Sequence, residues 1–180
     1  MQRLILTRLL ACSAALLLCA ASALAAEDIT LEWDDMIPPG WPPPELFEGV
    51  NLDELEDDDP EAIEFFAQIE ALWDEAPMVE SLDGKRVRLP GYAIPLEGDS
   101  RTVTSFLLVP YFGACIHVPP PPRNQTVLVN MAEGKSARIR YAFFTVWVTG
   151  TMTVETSETD LALTGYTITA DKVEPYELDE

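Results

Sequence analysis

The sequence predicts a mainly β protein: a small antiparallel five-stranded barrel, OB-like, preceded by an irregular proline-rich lead and one helix. Three observations predict it. After Lys85 come five β-branched and aromatic runs separated by turn residues. Before them lies a single apolar stripe at helical spacing. Ahead of that stripe, Pro38, Pro39, Pro42, Pro43 and Pro44 crowd one short stretch and exclude regular helix or central strand.

Residues 1–25 read as a secretory signal peptide. Arg3 and Arg8 flank a short apolar run, and Ala23-Leu24-Ala25 supplies the small residues a signal peptidase requires. The run is too short for a comfortable membrane span and no second one follows, so the expectation is a soluble periplasmic protein without direct membrane insertion. Lipidation at Cys12 is the rival reading. It would leave almost no apolar core between Arg8 and the cysteine.

Residues 26–58 form the acidic, proline-rich lead, nearly all acid from Asp53 to Asp59. Trp33 and Trp41 are costly to leave in water, which predicts that they dock on the domain behind or on a partner. Residues 59–76 are expected to be helical, with Asp59 as cap and Pro60 at the first position. Ile63, Phe66, Ile69, Leu72 and Trp73 would form one buried stripe, and Pro77 ends it.

Residues 77–180 carry the strands. Arg86 to Leu89 and Gly91 to Ile94 alternate across an interruption at Pro90, ending near Leu96, and Gly98-Asp99 makes a turn. Thr102 to Val109, Thr126 to Asn130, Ala142 to Val154 and Leu161 to Val173 follow, with a bend or bulge expected at Gly150. The pattern leaves strand order open.

The whole chain carries 11 basic and 31 acidic residues, a formal charge of -20. Removal of the signal peptide would take away two arginines and no acid, leaving 9 basic against 31 acidic, about -22. Such a charge repels phosphate backbones, which excludes nucleic acid, and it favours metal ions or basic protein surfaces. No phosphate-cradling glycine loop, dinucleotide fingerprint or serine nucleophile turn occurs.

Cysteine usage is more specific. Cys12 and Cys19 fall within the signal peptide, so Cys115 is alone in the mature chain and in a compartment that oxidises thiols. His117, the single histidine, stands two residues on, ahead of Pro119 to Pro122. In an extended segment the two side chains share one side, with Ile116 facing the core, so thiolate and imidazole converge on a soft ion, zinc first and copper second. Two ligands are half a tetrahedral site. Glu97 and Asp99 are the leading candidates to complete it, Asp34 and Asp35 the next, with water or a second protein as further donors.

Three alternatives stand beside the metal site. A structural Cys115 within a protein-interaction module is one, and a cysteine hydrolase with His117 as base and Asn124 or Gln125 as orienter is another. The third is redox chemistry with a thiol on another chain. Arg123, Asn124 and Gln125 could bind an anion or a carboxylate partner; the preferred reading is that Asn124 and Gln125 satisfy backbone groups where the loop rejoins a strand.

The phrases Leu89-Pro-Gly-Tyr-Ala-Ile-Pro-Leu-Glu97, Phe106-Leu-Leu-Val-Pro-Tyr-Phe-Gly-Ala-Cys-Ile-His-Val-Pro-Pro-Pro-Pro122 and Asn124-Gln125 resemble the bacterial family known as domain of unknown function 3299 (DUF3299). So do the lead Leu31 to Pro38, the segment Trp147 to Thr151, and Gly165-Tyr166. The resemblance implies a periplasmic protein encoded beside zinc-responsive transport systems of the ATP-binding-cassette (ABC) type, with Cys115 and His117 at signature positions. It therefore implies a metal-binding accessory protein partnered with another periplasmic or inner-membrane protein, such as an ABC-type transporter, and it implies no particular reaction.

Overall fold

A computed structural model describes residues 28–44, 60–99, 101–116 and 120–176. The expected signal peptide, the acidic run Asp53 to Asp59 with the expected helix cap Asp59, and His117 lie outside them. Six strands are described: β1 (Ile29–Thr30), β2 (Arg86–Glu97), β3 (Ser105–Val109), β4 (Val127–Met131), β5 (Phe144–Glu158) and β6 (Leu163–Pro175). Among the described residues one α-helix, α1, spans Pro60–Asp74. Among the described residues no helix is long and apolar enough to cross a membrane.

Strands β2 to β6 close a five-stranded ring in the order β2-β3-β4-β6-β5, with β5 returning to β2. Every pairing in the ring is antiparallel except β4 with β6, which is parallel. That exception follows from connection: β5 and β6 are hairpin neighbours, so β6 reaches β4 only after a crossover. Gly150 sits at the register shift between Thr149 and Gly150, as its position in the sequence predicts. A Cβ there would lie 2.2 Å from the Thr169 carbonyl oxygen, so the bulge requires glycine.

Alternation along each strand sorts the side chains into two cores. Val87, Leu89, Phe106, Leu108, Val129, Val148, Tyr166 and Ile168 fill the barrel interior and are fully shielded from water. Leu107 and Val109, on the other face of β3, join Ile94, Ala114, Phe143 and Ala162 in a second cluster outside the barrel. The loop after β3 therefore folds back over the barrel wall, and this second cluster positions the Cys115 segment.

β1 is outside the ring. It pairs in parallel with β2 at Val87 and Arg88, on the edge that β3 occupies from Tyr92 onward. Between the two, the indole Nε1 of Trp33 donates to the Pro90 carbonyl at 2.8 Å. A strand residue's nitrogen and carbonyl point to the same edge, so the donor that Pro90 lacks faces Trp33, and pairing with β5 loses nothing. For that reason β2 runs unbroken through Pro90. The described part of the lead, residues 28–44, has more structure than its prolines suggest: a short 3-10 turn at Trp33–Met36 buries Met36, and Trp33 docks as expected. Arg86 ties the arrangement together through Asp28 and Asp171, each at 2.6 Å.

Helix α1 departs from expectation in its burial. Ile69 is buried and Leu72 and Trp73 partly so, but Ile63 is 58% and Phe66 50% exposed. Periodicity identified the stripe, and only the second half of it is covered.

Candidate functional site

The loop leaving β3 carries the phrase on which the chemical reading rests. Gly113 and Cys115 both adopt left-handed backbone, with φ of 92° and 65°. For a cysteine this conformation costs on the order of 1 kcal/mol and persists only where the surroundings impose it. Here it reverses the chain so that Ala114 is fully buried and Cys115 packs on the second core. Ile116 is 48% exposed. The extended geometry expected for this segment, with Ile116 turned to the core, is therefore replaced by a turn, because two-residue alternation does not survive a left-handed residue.

Cys115 is a free, half-buried thiol. Burial penalises its thiolate and pushes the group up to about 11. At neutral pH the sulfur carries its proton, which makes it a poor nucleophile. Tyr111 is raised as well, by its own burial and then by the neighbouring Cys115.

Glu97 ends β2 and Asp99 lies in the turn that follows, before the start of β3, whereas the Cys115 loop leaves the end of β3. The Asp99 carboxylate accepts from the amides of Arg101 at 2.7 Å and Thr102 at 3.0 Å, bonds that hold it below the usual carboxylate range. Gly98, with φ of 105°, makes that turn possible. Asp35 is likewise engaged, accepting from the Glu32 amide at 2.9 Å. Among the described residues no three His, Cys, Asp or Glu side chains gather where a metal ion could sit. Glu97, Asp99 and Cys115 form no such group, and His117 lies outside the described residues.

Arg123, Asn124 and Gln125 join three parts of the fold. Arg123 donates to the Ala76 carbonyl at 2.8 Å, and the buried Asn124 side chain donates to Pro77 at 2.9 Å. Gln125 donates to the Trp33 carbonyl at 2.8 Å. These side chains satisfy backbone carbonyls of the helix exit and the lead, which is the structural role expected of them.

Sequence reasoning missed a groove of about 410 Å³ between α1 and the loop after β3. Phe66, Trp73, Tyr111 and Pro121 line it, with the carboxylates of Glu70 and Asp74. Its helical wall was visible as the Phe66 to Trp73 stripe. Its other wall depends on how the loop folds back, which spacing does not reveal. Beside it the loop tip exposes Phe112 at 67%, its ring packed on Phe143 with centroids 4.8 Å apart.

A crystal structure of a DUF3299 family protein from Pseudomonas aeruginosa PAO1 is similar to this chain, with a TM-score of 0.64 and 39% sequence identity. The match covers 86% of this chain and all of that one. No curated protein matches. The family model described as protein of unknown function (DUF3299) matches residues 33–175, from the docked Trp33 to the end of β6, and this chain belongs to the DUF3299 family.

Proposed function

We propose that this protein is an exported, non-catalytic interaction module of the bacterial periplasm that docks on a basic partner protein through the tip of the loop after β3. One observation carries the reading: Tyr111, Phe112 and Ile116 are exposed together, on a turn anchored from below by Ala114 and Cys115. Large apolar side chains clustered at the surface mark interaction sites, and aromatic anchors contribute most of the affinity where they occur. A formal charge of -20 opposes self-association and favours a basic partner. The protonated state of Cys115 argues against a thiol enzyme.

A second reading is favoured by the placement of Cys115 directly beneath that tip, with His117 two residues on. Zinc, or copper, would then be held between this chain and its partner, a component of a membrane transport complex, which supplies the remaining donors. The described residues offer one thiol and no imidazole, and that thiol must first lose a proton.

Recovery of the partner from periplasmic and inner-membrane fractions, by the tagged mature chain and its variants, separates these readings. Docking predicts that Ile116→Asp reduces recovery to background while the double variant Cys115→Ala, His117→Ala retains it. Loss with the double variant or on chelation, with Ile116→Asp unaffected, replaces docking by the metal bridge.

A further inference from the structure

The groove between α1 and the loop after β3 shares Tyr111 with the loop tip and combines three features that the tip lacks. Three aromatic rings, those of Phe66, Trp73 and Tyr111, contribute to one concave surface whose other contacts are chiefly aliphatic or proline. Glu70 and Asp74, one helical turn apart, are the carboxylates that line it; no Lys, Arg or His does. Among the described residues neither is in an ion pair. They also lie in the closing turns of α1, whose last turn carries no basic residue, so the negative end of the helix dipole stands unneutralised beside them.

We infer that this groove binds a small organic cation with an apolar body. Ring faces are electron-rich and attract a cation, most strongly where water is excluded. The carboxylates and the helix end give the same sign of potential, which rejects anions and leaves a neutral ligand without compensation for desolvating Glu70 and Asp74. A volume of about 410 Å³ falls within the range of small-molecule pockets, and Pro120 and Pro121 stiffen one wall. The cation's head sits against Glu70 and Asp74, and its body lies over Phe66 and Trp73.

The test is calorimetric titration of the mature protein with para-tert-butylbenzylamine, a cation at neutral pH, and with para-tert-butylbenzyl alcohol, which has the same body and a neutral head. The amine is expected to saturate with a Kd on the order of 0.1 mM, and the alcohol to bind at least about tenfold more weakly. The double variant Glu70→Gln, Asp74→Asn should bring the amine down to the level of the alcohol, and Phe66→Ala should weaken both ligands. These side chains are exposed, so the variants keep the barrel, which near-ultraviolet circular dichroism verifies. Absence of saturation by the amine up to about 10 mM, roughly a hundredfold above the expected Kd, overturns the inference. So does equal binding of the alcohol, or binding indifferent to either variant. None of these substitutions touches Phe112 or Ile116, so the result stands apart from the docking reading.

Discussion

The hydroxyl of Tyr166 donates to the carbonyl of Met36 at 2.8 Å, joining the barrel interior to the lead 130 positions earlier. The same oxygen accepts from the amide of Val79 at 2.7 Å, so one side chain on β6 fixes both the lead and the segment after α1. Tyr166→Phe preserves the ring and leaves a buried carbonyl and a part-buried amide without partners, which should cost about 1–3 kcal/mol. Urea unfolding measures it. A loss below about 0.5 kcal/mol would mean that this bond does not hold the lead in place.

Gly91 is the point where Trp33 meets the barrel. A Cβ there would lie 2.9 Å from Leu108 Cγ, 2.9 Å from the Val109 carbonyl and 3.0 Å from Trp33 Cζ2, and the backbone oxygen cannot yield as a side chain can. Gly91→Ala is therefore expected to destabilise by about 1–3 kcal/mol and to displace the indole from Pro90. A red shift of tryptophan emission, absent from Gly91→Ala made in a Trp33→Phe background, locates the effect at Trp33.

These two contacts show where the sequence is legible. The run Leu161 to Val173 marks β6, and Gly150 the bulge in β5, because strand composition and glycine geometry are local. The same locality explains the errors. Pro90 was read as an interruption because nothing near it reveals that Trp33, 57 positions away, occupies the edge its missing donor faces. Ile63 and Phe66 share the period of Ile69, but what covers a stripe is a tertiary matter. The extended segment expected at Cys115 is instead a turn, with positive φ at Cys115 where it packs on the second core, and His117 lies outside the described residues. Proximity in sequence and residue type, which point to Glu97 and Asp99, do not reveal that the two ends of β3 lie between them and Cys115.

Burial raises the Cys115 thiol from 9.0 to about 11, so the folded protein holds this proton more tightly than the unfolded chain. The stabilisation is whole below pH 9 and is lost as pH rises through about 11. Wild type should therefore lose stability across that window relative to Cys115→Ala, whose own decline reflects the other groups. Alkylation by iodoacetamide at pH 8 should run about a hundredfold slower than for a thiol with the ordinary value, reflecting two units of suppressed ionisation. An ordinary rate would place the thiol in water.

The central claim is that the Phe112 to Ile116 tip is the contact surface. A photocrosslinking residue at position 116 reads it in intact cells, with the same residue at position 133, in the turn after β4, as reference. Docking predicts one discrete adduct from position 116, containing a basic envelope protein, and none from position 133. Adducts of equal yield from both positions, or none from 116 while the protein is folded and exported, would contradict it.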